Sequence, residues 1–257
     1  VAVSPGLARH NRSGLAGLGI DLSQRLLSAR NLLDVERVRL GAQAPAPQAF
    51  TALKNEHDIV LATMGRMSME KNQAALIEAL ALLREQDGDA QGLSVGLAIV
   101  GSGVLEGTLR ARIDSLGMCG HVALLGQMDN PFPVLGGADL FVLSSLHEGQ
   151  PVTLLEAMTL GTGIVASDLP GNRELVDLGY GVLSGTSPQD IAQAIRTALA
   201  DPRLAHGEFD VTEHNARSLR DTLEAVLGPE SLQQQPKGKT PSRRKRRRRA
   251  ASRRVPA

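Results

Sequence analysis

Two glutamates separated by seven residues, Glu148 and Glu156, carry the clearest chemical pattern in the chain. They stand in the run Ser144-Ser145-Leu146-His147-Glu148-Gly149-Gln150-Pro151-Val152-Thr153-Leu154-Leu155-Glu156-Ala157-Met158, which leaves an apolar segment and passes into a helical pattern. A carboxylate can accept two hydroxyl donors, so one acid in the loop and one about a turn into the helix can address both ends of an elongated polyhydroxyl ligand. Gly149 lets backbone approach such a ligand closely, and Pro151 suits a helix start, where its missing N–H is no loss. The helix start presents free backbone N–H groups and a positive dipole end to sugar hydroxyls or phosphate. The plainer reading is a pair of solvated acids. His147 beside Glu148 has no orienting partner visible in the sequence, and a local structural or hydrogen-bonded histidine is the favoured reading over an acid-base catalyst.

Two further segments could contribute. In Gly65-Arg66-Met67-Ser68-Met69-Glu70-Lys71-Asn72, Lys71 falls in the predicted first turn of a helix, where the macrodipole disfavours a cation. An external anion would explain it: Arg66 can grip a diphosphate in bidentate fashion while Lys71 adds a point charge. Ordinary solvated charges are the alternative. Gly101-Ser102-Gly103 offers either amides close to a phosphate or only a tight strand-to-helix turn. Glu106 stands where a dinucleotide fingerprint needs its third glycine, which argues against a nicotinamide enzyme.

The elements that must position these residues alternate. Short aliphatic runs predict strands near Asp58–Met64, Ser94–Val100, Val122–Leu125, Leu140–Ser144, Gly163–Ala166 and Gly181–Leu183. Helical patterns fill the gaps, near Met69–Glu85 with Ser68 as N-cap, Val104–Leu116, Val152–Leu160, Asn172–Val176 and Pro188–Ala200. Unbroken apolar strands such as Leu140-Phe141-Val142-Leu143 must be buried on both faces, the mark of a parallel sheet clad by helices. With right-handed crossovers this gives an α/β, doubly wound parallel sheet of Rossmann-like type over residues 55–205. Ligands of such sheets lie at the carboxyl ends of the strands, where all three segments fall.

Composition narrows the classes. A chain of 257 residues with 42% hydrophobic content can bury a full core, so disorder throughout is excluded. With 2% aromatics and no Trp, the core must be aliphatic and an aromatic platform for nucleic acid is disfavoured. Eleven of the 28 basic residues lie in residues 237–257; the other 17 face 27 acids, a net of −10, so the globular part is acidic and the basicity is all tail. The single Cys119 reads as a small buried apolar group. With no secretory leader visible, the expected location is cytoplasmic. No apolar run approaches the roughly 20 residues of a bilayer span.

Taken together, Gly65-Arg66 with Glu70-Lys71-Asn72, Val100-Gly101-Ser102-Gly103, Ala138-Asp139, Glu148-Gly149 through Leu155-Glu156-Ala157-Met158, and Val165-Ala166-Ser167 with Gly171 and Glu174 resemble, in order and spacing, the retaining glycosyltransferases of the GT-B fold. The resemblance implies one half of a GT-B fold that binds a nucleotide-sugar donor and transfers its sugar with retention, without an obligatory metal or other cofactor. Carried to matching positions, it implies that Arg66 and Lys71 hold and stabilise the leaving diphosphate, that Glu148 with the Gly149-Gln150 backbone contacts the transferred sugar, and that Glu156 contacts the ribose. Gly65, Gly101, Gly103, Pro151 and Val152 complete the expected donor site. Gln150-Pro151 stands where the family often has an aromatic residue and then glycine, so the sugar is left open. So is the acceptor, whether glycan, lipid or wall polymer.

The front of the chain departs from the family. Val1–Asp34 resembles only the last strand and helix of the family's acceptor-binding domain, with a strand at Val1–Ser4, a helix at Gly6–Leu18, and Asn31-Leu32-Leu33-Asp34 where a short Asn-and-Asp motif marks the junction. The expected division is a remnant and Pro/Ala-rich linker over 1–54, a donor domain over 55–205, a crossover helix within 206–232, and a disordered basic tail over 233–257. An N-terminal acceptor domain on another chain is then an expected partner. A non-catalytic nucleotide-sugar-binding or scaffold subunit is the alternative to an enzyme. For the tail, a solvated extension stands against recruitment to an anionic membrane face, where each Lys or Arg is worth about 1 kcal/mol.

Overall fold

The computed structural model describes residues 30–87, 94–178, 180–201 and 207–227. The expected strand at Val1–Ser4, the helix at Gly6–Leu18 and the tail over 233–257 lie outside these. In chain order the elements are α1 (Val35–Gly41), α2 (Gln48–Glu56), β1 (Ile59–Met64), a 3-10 turn (Met69–Lys71), α3 (Gln73–Asp87), β2 (Val95–Val100), α4 (Glu106–Ser115), β3 (Val122–Gly126), α5 (Phe132–Gly137), β4 (Leu140–Leu143), α6 (Val152–Thr159), β5 (Gly163–Ser167), α7 (Pro170–Leu178), β6 (Val182–Ser184), α8 (Pro188–Ala200) and α9 (Val211–Leu227).

The six strands form one parallel sheet in the order β3-β2-β1-β4-β5-β6. This is the doubly wound Rossmann-like α/β architecture expected from the unbroken aliphatic runs. The alternation hidden inside those runs is visible in the packing. Leu140 and Val142 face a core shared with Leu76 and Leu80 of α3, Leu109 of α4 and Ile191 and Ile195 of α8. Phe141 and Leu143 face a second core with Phe50, Phe132, Leu154 and Leu155. Both faces of the strand are dry because both are clad, and a parallel sheet needs that. The order reverses between β1 and β4, which makes the crevice above these two strands the topological switch point.

Three local features differ from the sequence reading. The helix expected from Met69 is interrupted at Asn72, whose φ of 53° is left-handed, and α3 begins only at Gln73. Asn tolerates that region better than most residues, and the break separates Lys71 from the helix. Ser68 caps nothing; its hydroxyl donates to the Glu70 carboxylate at 2.7 Å. Second, α2 crosses the expected boundary at residue 54, burying Phe50 and Leu53 in the core and lying over β2 and β3. Third, Cys119 is exposed rather than buried; its thiol donates to Asp114 at 3.1 Å, and that bond holds its pKa above the ordinary thiol value.

Opposite the switch-point rim, the rings of His57 and His121 lie 4.8 Å apart, tilted by 35°, between the starts of β1 and β3. Burial, then Arg84 and His57, lowers the pKa of His121 from its ordinary value of about 6.5, against a weaker pull from Glu56. A histidine whose folded pKa is depressed contributes stability that is complete above its unfolded pKa and is lost as pH falls below it. The thermal midpoint should therefore drop between pH 7.5 and pH 5.5, and by less in His121→Gln; equal drops in both proteins would exclude His121 as a source.

Candidate functional site

The loops after β1 and β4 are tied together before any side-chain charge is considered. The Leu146 amide donates to the Glu70 carbonyl at 2.7 Å, and the Ser144 hydroxyl donates to the carbonyls of Lys71 and Asn72 at 3.0 and 3.3 Å. The Asn72 side-chain amide reaches the Thr186 carbonyl at 3.0 Å on the far side. These bonds hold the 3-10 turn so that Lys71 faces across the switch point.

There Lys71 Nζ donates to Glu148 Oε1 at 2.5 Å, and Ser145 Oγ donates to the same oxygen at 2.7 Å. With side-chain exposures of 25% and 10%, the pair is partly shielded from water, which strengthens it relative to a surface pair. The cation from the first loop and the acid from the fourth therefore meet in one crevice. One premise changes, however. Lys71 ends a 3-10 turn rather than opening a helix, so no unfavourable helix dipole acts on it, and its counter-charge is Glu148. The stem of Lys71 lies over Gly65, where an added Cβ would come within 3.2 Å of it.

Beyond Glu148 the chain enters α6. A Cβ on Gly171 would lie 1.7 Å from the Gly149 carbonyl, so α7 supports this loop by direct backbone contact. Gln150 is buried, its Oε1 accepting from the Asn31 amide at 2.6 Å. Pro151 occupies the N-cap of α6, with Val152 exposed as its first residue, and the amides of Val152 and Thr153 reach no backbone carbonyl of a described residue. Glu156 lies four residues further, about 6 Å along the axis. It is half-buried, and burial raises its pKa above the ordinary carboxylate value, against a weaker opposing pull from Arg37. No side-chain hydrogen bond from a described residue satisfies it.

Gly101 and Gly103 act in packing. Gly101, at a φ of 130°, would place a Cβ 2.1 Å from the Gly65 carbonyl oxygen, and a Cβ on Gly103 would lie 2.4 Å from that of Met67. The Gly101 amide is already used by the Gly126 carbonyl at 2.8 Å. These glycines let the loops after β1 and β2 touch. Arg66 is exposed at this rim and its guanidinium makes no ion pair with a described residue. His147 is also exposed and makes no hydrogen bond with a described residue, where a locally bonded histidine was expected. Asp139, in the Ala138-Asp139 segment, lies at the other end of β4, where its carboxylate accepts from the Val60 amide at 2.7 Å and Lys54 at 3.0 Å. Among the described residues no cluster of three or more His, Cys, Asp or Glu is placed to hold a metal ion.

Asn172, given no role by the sequence, and two serines quoted only within longer segments complete the support. Buried Asn172 donates to the Ser167 carbonyl at 2.8 Å, and Ser167 Oγ donates to the Ser145 carbonyl at 2.6 Å. Ser145 thus links α7 and β5 to Glu148. Small polar residues after apolar strands are ordinary turn formers, so nothing in their type marked them.

A family model described as Glycosyl transferases group 1 matches residues 47–209. The chain is 28% identical over 217 residues to the lipopolysaccharide core biosynthesis glycosyltransferase LpsE of Rhizobium meliloti, covering 79% of this chain and 54% of that one. It is 31% identical over 147 residues to the GDP-mannose-dependent alpha-(1-6)-phosphatidylinositol dimannoside mannosyltransferase of Mycobacterium tuberculosis, covering 56% and 36%. It spans about a third to a half of the length of the curated relatives it matches. Among solved structures, Anabaena HepE in complex with UDP and glucose superposes with a TM-score of 0.63 at 21% identity, over 91% of this chain and 62% of that one, a likeness of fold.

Two outcomes test this geometry. Gly101→Ala should cost about 2–4 kcal/mol in denaturant unfolding, from backbone strain and the clash with Gly65; near-wild-type stability would refute the close loop contact. Glu156→Gln removes a poorly solvated charge. A raised folded pKa means that the charge penalty is present above that pKa and vanishes below the ordinary value of about 4.3. The variant should therefore unfold at or above the wild-type temperature at pH 7.5, with the gap closing toward pH 4.

Proposed function

The chain belongs to the group 1 glycosyl transferases, and we propose that it is the donor-binding half of an enzyme that moves a sugar from a nucleotide sugar to an acceptor with retention of configuration. The observation that carries this reading is the meeting of Lys71 and Glu148 above β1 and β4, with the open end of α6 and half-buried Glu156 beyond them.

A nucleotide sugar has three parts to be held: a ribose, a diphosphate and a hexose. Glu156, poorly solvated and lacking a side-chain donor, suits the ribose hydroxyls, because two hydroxyl donors would replace the water it has lost. The free amides of Val152 and Thr153 suit hydroxyl or phosphate oxygens. Arg66 and Lys71 suit the diphosphate. In the reaction the bond between the anomeric carbon and the diphosphate oxygen breaks, and the electron pair leaves with the nucleoside diphosphate. An acceptor hydroxyl forms the new bond to that carbon on the same face and passes its proton to an oxygen of the departing diphosphate. Charge grows on the diphosphate oxygens as the bond breaks, so fixed cations there act most strongly in the transition state. Glu148 keeps Lys71 aimed at that position while its second oxygen remains available to a sugar hydroxyl.

Relatives that bear names of envelope and surface polysaccharide synthesis support a glycan or lipid-linked acceptor. No described helix is long and apolar enough to cross a membrane, so a peripheral position at the cytoplasmic face fits this role. The acceptor would be presented by the remaining half of the fold.

Titration calorimetry with UDP-glucose and GDP-mannose tests the assignment. At least one should bind the wild-type chain, and Lys71→Ala and Glu156→Ala should each weaken it about ten- to a hundred-fold, as expected for loss of hydrogen bonds to charged groups, with the fold intact. Unaltered affinity in both variants would overturn the site. Sugar transfer after addition of an N-terminal acceptor half would separate an enzyme from a binding subunit.

A further inference from the structure

Residues 30–34 have no place in the sheet or in a helix, yet they are fastened on two sides. Toward the site, the Asn31 amide donates to Gln150 Oε1 at 2.6 Å and the Asn31 side-chain amide donates to the Gln150 carbonyl at 2.7 Å. Toward α9, the Asn31 carbonyl meets His214 Nε2 at 3.2 Å. Asn215 brackets Leu33, accepting from its amide at 3.0 Å and donating to its carbonyl at 2.8 Å. Arg30 pairs with Asp221, about two turns further along α9.

The chemistry leaves no choice in how these groups are oriented. A backbone N–H only donates and a carbonyl only accepts. Gln150 must therefore turn its oxygen to Asn31, Asn215 must turn its oxygen to the Leu33 amide, and His214 must carry its proton on Nε2. Burial, which lowers the pKa of His214, favours that ring in its neutral form. Gln150 is itself buried, sits two residues after Glu148 and precedes the N-cap of α6.

We infer that Asn31 is a positioning residue: it holds the Glu148–Gln150 loop in place, and α9 holds Asn31 through His214 and Asn215. The last described helix thereby sets the geometry of a loop far from it in sequence. The strap is a property of the chain without ligand; only its effect on donor affinity rests on the function proposed above.

Hydrogen exchange read by mass spectrometry on the whole chain tests the strap without any ligand. In Asn31→Ala and Asn215→Ala, the amides of residues 146–155 should exchange about ten-fold faster, the scale of one or two lost hydrogen bonds, while those of β1 and β2 stay at wild-type rates. His214→Gln, which keeps a side-chain N–H for the Asn31 carbonyl, should behave like wild type, and His214→Leu like Asn215→Ala. This last pair decides the question should Asn215→Ala fail to fold. Unaltered exchange over 146–155, or acceleration spread evenly through the sheet, would overturn the inference. Calorimetry with UDP-glucose and GDP-mannose then reads the consequence, an affinity about ten-fold lower in Asn215→Ala. If exchange responds while neither donor binds any form of the protein, the strap stands and the donor assignment falls.

Discussion

The ion pair between Lys71 and Glu148 is the interaction on which the crevice depends, because it joins the two loops that leave the sheet in opposite directions. The sheet order changes direction between β1 and β4, so the chain after β1 winds one way and the chain after β4 the other. A crevice necessarily opens between their exits. A charged pair bridging it, with Ser145 on the same carboxylate oxygen, keeps the crevice at a defined width. Each charge offsets part of the cost of shielding the other from water.

Much of the surrounding structure holds backbone rather than side chains. Ser144 and Leu146 tie down the turn carrying Lys71, Gly171 admits the Gly149 carbonyl, and the Gly101 and Gly103 contacts bring the second loop against the first. Such contacts permit little adjustment, because each involves a carbonyl oxygen at a distance no Cβ could tolerate. The loops of this rim are therefore unusually well supported for loops. By contrast Arg66 and Val152 are exposed at the rim.

The pair also bears on the chemistry. Lys71 neutralised by Glu148 is a weaker anion trap than a free ammonium, yet it is aimed in advance. Under the function proposed above, a cation already fixed at this place would act most strongly as charge develops on the leaving diphosphate.

The strands were legible because six aliphatic runs have the length and flanking turns of strands, and burial on both faces follows from their unbroken apolarity. The acids at 148 and 156 and the cations at 66 and 71 were legible as types at particular offsets after those strands. What the sequence could not supply was the direction of each side chain. The left-handed Asn72 removes Lys71 from the helix its periodicity suggested and turns it to Glu148, which is 77 residues away. Gln150 turned toward Asn31, and Gly101 toward Gly65, for equally distant reasons. Local periodicity reports which elements form, since it reflects the neighbours a residue has along the chain. Which charges meet depends on contacts closed across tens to hundreds of residues, and those exist only once the sheet has brought its strand ends to a common rim.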